Sequence, residues 1–330
     1  MILASGDAPP LRLEQLQRAF ARLVPAGSVA TAGAEPLELI PVGDPAVLGQ
    51  FEPMEPAGSA ARDISGEPAE GFAAFLDGTQ RTEVVGHTVE GEAVLLGTVG
   101  AVIRSWHNRR AATWKYRRSQ RIYAPVGVLP ADLQAALRGL PLPVVDTVDG
   151  GELEDAHPHA RRDVALRAVR RMRESLEVEL LTDWVAEERR PLYVDGGLSA
   201  SLLFPRAANA VGVVKSHHTL YADRDSRRTV LALQGGQRGP VFLVGRQRGA
   251  PLASWYLRLR SAAAHDPFWG LVRVEVPHDA ERSLSALTTH ADEISRRVLA
   301  ERAPTAHPDA RWHTMAYGIR DCEVFLRAGQ

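Results

Sequence analysis

The sequence holds one cysteine, Cys322, in 330 residues, only two lysines (Lys115 and Lys215) among 39 basic side chains, and no long apolar run. A single thiol cannot close an intramolecular disulfide or build a cysteine-ligated zinc centre, and it fits a reducing compartment. A membrane-spanning helix needs about 18 or more consecutive apolar residues, and the first residues, Met1 to Asp7, lack both a basic stretch and a long apolar stretch. A cytoplasmic location with no membrane partner is therefore expected. Formal net charge is −1, so any contact with a polyanion must come from local patches. The preference for arginine over lysine reads as codon usage in a GC-rich genome, which makes each lysine more informative than each arginine.

What the chain does have is the balance of a globular α/β protein, with 45% hydrophobic and 24% charged residues, enough to bury a large core. Its organising stretch is Gly71-Phe72-Ala73-Ala74-Phe75-Leu76-Asp77-Gly78. An apolar run of this length bounded by glycine reads as a buried strand with a carboxylate at its C-terminal end. The pattern returns at Pro191-Leu192-Tyr193-Val194-Asp195-Gly196-Gly197. Side by side, two such strands would bring two carboxylates within reach of one divalent cation, although Asp-Gly is also a common hairpin dipeptide.

In chain order, Leu13, Leu16, Phe20 and Leu23 predict a helix over Leu11 to Leu23. Pro25 to Ala69 reads as an irregular surface segment, so residues 1–70 are expected to form an N-terminal extension and 71–330 one catalytic domain. Thr82 to Thr88 and Ala93 to Arg104 alternate as strands around Val89-Glu90-Gly91-Glu92, a hairpin signal. Ala165, Val169, Met172, Leu176 and Leu180 mark a helix over Arg161 to Trp184, with Glu177 and Glu179 flanking its apolar stripe on opposite sides. Arg228 to Leu233, Pro240 to Gly245, Trp255 to Arg260 and Leu271 to Pro277 read as further strands, and Ala280 to Arg302 as an amphipathic helix with Asp292 and Glu293 facing solvent.

No acidic residue occurs between Glu92 and Asp132. Arg109, Arg110, Lys115, Arg117 and Arg118 there are interleaved with Trp106, Trp114 and Tyr116, the composition expected of a groove where cations meet phosphates and rings stack on unpaired bases. The bland alternative is a solvated basic face with its aromatics turned inward.

A strand carrying Asp, antiparallel strands, a helix carrying Glu, and a second strand carrying Asp is the order found in ribonuclease H-like nucleases. Hard cations take oxygen ligands, so Asp and Glu suffice without His or Cys. The runs Phe75-Leu76-Asp77-Gly78-Thr79, Tyr193-Val194-Asp195-Gly196-Gly197-Leu198, Val211-Gly212-Val213-Val214-Lys215-Ser216, Trp255-Tyr256-Leu257-Arg258-Leu259 and Val272-Arg273-Val274-Glu275-Val276 follow one another as in the NurA family of DNA end-processing nucleases. The resemblance runs from about Gly71 to the C-terminus. It implies a ribonuclease H-like mixed sheet flanked by helices, a homodimer, manganese-dependent cleavage of DNA (with magnesium able to stand in), and partnership with the hexameric ATPase HerA. Implied with it are single-strand endonuclease and 5′-to-3′ exonuclease activity in end resection for double-strand break repair.

Carried over residue by residue, Asp77 and Asp195 match the family's metal-binding aspartates, and Glu177 or Glu179 its helix glutamate. Lys215 matches a lysine able to hold the scissile phosphate. Where the family has Tyr-Pro followed by Ala-His, this chain has Tyr317-Gly318 and then Asp321 or Glu323, so that a carboxylate, Glu323 above all, would take the histidine's place as a ligand. His217, His218, His290 and His313 are the other histidines considered. Two rival readings are an actin-like or sugar-kinase-type phosphotransferase, in which Asp77-Gly78-Thr79 and Asp195-Gly196-Gly197 would be phosphate-binding turns, and a catalytically silent subunit that docks on an ATPase ring.

Overall fold

The computed structural model describes residues 11–24, 29–31, 46–55, 61–107, 110–148, 156–198, 209–244, 251–263, 265–302 and 311–328. Helix α1 (Leu13–Leu23) is followed by four short strands, β1 (Val29–Thr31), β2 (Val47–Leu48), β3 (Glu52–Pro53) and β4 (Arg62–Asp63). Three long strands come next, β5 (Ala74–Thr88), β6 (Ala93–His107) and β7 (Arg110–Ala124), then α2 (Ala131–Arg138) and β8 (Val144–Asp146). The 30-residue helix α3 (Pro158–Glu187) leads to β9 (Leu192–Asp195), β10 (Ala210–Val214), β11 (Thr219–Leu220) and α4 (Arg224–Ala232). The chain closes with β12 (Gln237–Arg238), β13 (Phe242–Val244), β14 (Leu252–Arg258), β15 (Leu271–Pro277), α5 (Leu284–Ala300) and α6 (Tyr317–Ala328).

One mixed sheet runs in the order β3-β13-β14-β15-β10-β9-β5-β6-β7-β8, with β1, β4 and β12 joined at its margins. Strand β9 lies parallel to both β5 and β10, β8 lies parallel to β7, and the other neighbours on this path are antiparallel. Side chains alternate along a strand, so adjacent residues serve opposite layers. Leu76, Leu192 and Val194 pack with Val169, Leu176, Leu180 and Trp184 of α3. Phe75, Tyr193 and Val213 pack on the other face with Leu287 and Ile294 of α5 and Ile319, Cys322 and Leu326 of α6. Each such fully buried side chain contributes about 1.5–3 kcal/mol. The expected α/β class, a mixed sheet flanked by helices, is therefore the architecture. Among the described residues no helix is long and apolar enough to cross a membrane.

Four expectations need correction. Asp77 does not end its strand: β5 continues through Thr88, because Thr82 to Thr88 pairs on with β6 as the second half of one 15-residue strand. Arg224–Ala232, which covers most of the expected Arg228 to Leu233 strand, is a helix; Asp223 caps it by accepting from the Ser226 N–H at 2.8 Å, a local start signal that the short apolar pattern hid. The segment after α1 is more than a surface wrap where it is described: β1 pairs with β5, β3 with β13 and β4 with β12. Glu55 there accepts from the fully buried Arg238 at 2.8 Å, and Arg238 also reaches Asp292 at 2.6 Å, so Asp292 does not face solvent as expected.

Candidate active site

Strands β5 and β9 pair in parallel register only through Ala74↔Leu192, Phe75↔Tyr193 and Leu76↔Val194. The next residues are Asp77 and Asp195, and there the strands part: β9 stops while β5 continues along β6. The parting opens a cleft of about 740 Å³ lined by Asp77, Glu177, Asp195, Lys215 and Glu323. Strand alternation puts Asp77, Asp195 and Lys215 on the α6 face, and Gly78 on the α3 face.

Asp77 is buried and accepts a hydrogen bond from the Gly78 N–H at 2.8 Å; it makes no ion pair among the described residues. Burial, then the neighbouring Asp195 carboxylate, pushes its pKa well above the usual carboxylate range. Asp195 accepts from Lys215 Nζ at 2.8 Å, a contact made because Lys215 directly follows β10, the parallel neighbour of β9. Glu177 reaches over the sheet from α3 into the space that Gly78 leaves: a Cβ at residue 78 would lie 2.2 Å from Glu177 Oε1. Burial raises the Glu177 pKa to about 7 against the opposing charge of Arg173, whose Nη1 donates to Oε1 at 2.7 Å. A carboxyl titrating near neutrality can exchange a proton at working pH. Glu323, buried on α6, is held by Arg311 Nη2 at 2.9 and 3.2 Å.

The helix register separates the paired alternatives. Two positions along a helix rotate a side chain by about 200°, so Glu179 leaves the cleft and sits 3.7 Å from Arg117 of β7. Asp321 likewise turns away, accepting from Arg104 Nε at 2.6 Å. Gly318, in the place of the expected proline, packs where an added Cβ would be 2.3 Å from the buried Phe75 ring, so this chain has no room for a ring there. His217 lies against Phe268 and the Leu271 carbonyl, and none of the four histidines considered lines the cleft. Asp77-Gly78-Thr79 is paired in mid-strand with Val102, Ala101 and Gly100; it forms no phosphate-binding turn, which removes the basis of the phosphotransferase reading at that position.

The basic aromatic window is not one groove. Lys115 pairs with Asp183 at 3.2 Å and Glu187 at 2.6 Å, and Arg117 pairs with Asp183 at 3.0 Å, all acids of α3. Trp114 packs edge-on against Trp184 at 5.0 Å, whereas Tyr116 meets Phe325 of α6 on the other face. Arg110 is exposed at the start of β7, Arg118 is half-buried, and Arg109 lies outside the described residues. None of Arg110, Trp114, Lys115, Arg117 and Arg118 lines the cleft. The acids that pair with Lys115 and Arg117 are distant in sequence, so an acid-free stretch does not reveal them. Besides Lys215, the cations that line the cleft are Arg170, Arg173, Arg273, Arg311 and Arg327. Arg170, Arg173 and Arg327 carry a sequence signal, each standing four residues from an acid on one helix face, Glu174, Glu177 and Glu323 respectively.

Asp77, Asp195 and Glu177 offer carboxylate oxygens only, the donor chemistry of Mg²⁺ or Mn²⁺. As the side chains stand, no group of three acidic, histidine or cysteine residues among those described is arranged to grip an ion, since Asp195 turns to Lys215, Glu177 to Arg173 and Glu323 to Arg311. The donor set fits a hard cation at Asp77, where a buried carboxylate lies close to others without an ion-pair partner of its own.

No family model and no curated protein matches the sequence. Among solved structures, the fold is similar to the crystal structure of the NurA nuclease from Sulfolobus solfataricus, at 11% identity over 84% of this chain and 89% of that one, with a TM-score of 0.44.

Proposed function

We propose that the cleft is the active site of a divalent-cation-dependent nuclease that hydrolyses DNA phosphodiester bonds. The observation that carries the reading is the parting of β5 and β9 at Asp77 and Asp195, with Glu177 laid over Gly78 beside them. Asp77, Asp195 and Glu177 would hold the cation, Mn²⁺ or Mg²⁺, which when bound supplies charge neutralisation and a water acidic enough to ionise near neutral pH. Lys215, a compact point charge on the same face, is suited to a non-bridging phosphate oxygen of the scissile group. Arg173, Arg273 and Arg311 line the walls and counter the phosphates on either side. Glu177, with its pKa near 7 in the cation-free protein, can hold a proton until the cation enters.

The finer reading rests on the sequence resemblance to the NurA family: single-strand endonuclease and 5′-to-3′ exonuclease activity in end resection for double-strand break repair, as a homodimer working with a HerA-type hexameric ATPase. A catalytically silent docking subunit is the second reading, supported by the ion pairs that engage Asp195, Glu177 and Glu323. Incubating the purified chain with end-labelled single- and double-stranded DNA in Mn²⁺, Mg²⁺ or EDTA decides between them. The nuclease reading expects cleavage that needs the cation and disappears in Asp77→Asn. No cleavage in any cation, or equal cleavage by the variant, refutes it.

A further inference from the structure

A second pocket, of about 700 Å³, opens beside Trp269 and Trp312. Neither tryptophan belongs to the apolar clusters that bind helices to sheet, so core packing does not account for them. His265, Trp269 and His313 make a run of near-parallel rings, with centroids 4.2 Å apart at 11° and 5.1 Å apart at 19°. Trp312 meets Trp269 edge-on at 5.4 Å, and the Arg260 guanidinium lies 4.8 Å from the Trp312 ring centre. The Gly270 N–H donates to His313 Nδ1 at 2.9 Å, which fixes that ring as a neutral imidazole, in agreement with burial holding its pKa below the usual value. Arg260 and Arg302 line the pocket against one acid, Glu67. Arg311 lines the carboxylate cleft and Trp312, the next residue, lines this pocket.

Stacked rings at the surface with guanidinium groups beside them match a base-and-backbone ligand: rings accept the faces of unpaired bases, and cations meet the phosphates between them. We propose that this pocket, together with the ring stack that leads from its Trp269 to the exposed His265, binds single-stranded nucleic acid, with bases stacking on His265 and on Trp312 and with Arg302 countering a phosphate. As a statement of which form of DNA reaches the cleft, this rests on the nuclease reading; as binding, it requires no cleavage.

The test is anisotropy of a fluorescein-labelled oligothymidylate of about 20 nucleotides, longer than the ~4–16 that one such groove covers, titrated in EDTA so that no cleavage occurs. The wild-type chain should bind this strand more tightly than the same label in duplex. Trp312→Ala and His265→Ala should each weaken binding about 5- to 150-fold, the range of a lost base stack. His265→Phe should restore it, because a ring is kept while a hydrogen-bonding group is lost. Arg302→Gln should lower the slope of log affinity against log salt by about 0.7. Should Trp312→Ala melt at a lower temperature, the exposed His265 pair decides. No binding by the wild-type chain, or equal binding by His265→Ala and His265→Phe, overturns the proposal. Loss of cleavage with this binding intact counts against the nuclease reading alone, and cleavage without this binding counts against the present proposal alone.

Discussion

Replacing Gly78 with alanine probes the cleft with one methyl group. The new Cβ would stand 2.2 Å from Glu177 Oε1, 3.0 Å from its Cδ and 3.1 Å from its Cγ, so Glu177 must move away. The group that yields is the far end of a flexible side chain. Moving it sacrifices the Arg173 pair, an i,i+4 contact on one helix of about 0.3–0.5 kcal/mol. Against that loss, alanine is about 0.5–1 kcal/mol better than glycine inside a regular element, and the displaced carboxyl regains water. The balance lies within about 1 kcal/mol, a melting shift of no more than about 4 °C for a chain of this size. Function should respond far more strongly, because the carboxylate is pushed off the position beside Asp77: cleavage and Mn²⁺ affinity should fall at least about 100-fold, the upper range for disturbing even an outer-sphere group. Differential scanning fluorimetry and single-turnover cleavage measure the two effects on one preparation. Unchanged cleavage with a properly folded variant would show that Glu177 has no part in the site.

Gly318→Ala sets the same methyl group 2.3 Å from the ring of Phe75, which is buried at the heart of the α6 layer and cannot yield; it should cost about 1–3 kcal/mol of stability by chemical denaturation, and a wild-type midpoint would refute the packing. Lys215→Gln removes the cation that faces Asp195, so the metal-free melting temperature should fall and added Mn²⁺ should raise it by more than in the wild type; parallel responses would exclude Lys215 from the charge balance of the cleft. His290, whose pKa burial and then Arg282 and Arg297 depress to about 4, stays neutral in the folded chain while the unfolded chain takes up a proton below about 6.5. Its contribution is therefore present above pH 6.5 and lost as pH falls toward 4, and His290→Gln should flatten the stability profile in that window; identical profiles would contradict the assignment.

The two Asp-bearing strands and the long helix were legible because their signals are local: apolar runs closed by Asp-Gly, and a stripe at helical spacing. Leu271 to Pro277 coincides with a strand, and Glu177 and Asp195 stand on the helix and strand expected of them. What was illegible depends on contacts between distant segments. The extent of β5 is set by pairing with β6, and Asp77 is buried because α6, more than 200 residues later, covers that face. Lys115 and Arg117 are neutralised by Asp183, Glu187 and Glu179 across a helix-sheet contact that a linear charge count cannot see. Which of Glu177 and Glu179 enters the cleft is a two-residue question of register, and it is Glu177 that fills the space left by the absent side chain of Gly78.

Whether the cleft between β5 and β9 takes a divalent cation is read most directly by electron paramagnetic resonance of Mn²⁺, whose free-ion signal disappears on binding. Titrated into the wild-type chain at neutral pH, Mn²⁺ should lose signal saturably, and this loss should be abolished in Asp77→Asn and in Asp195→Asn. Undiminished free signal with the wild type, or identical curves for all three proteins, would contradict a cation site built on Asp77 and Asp195.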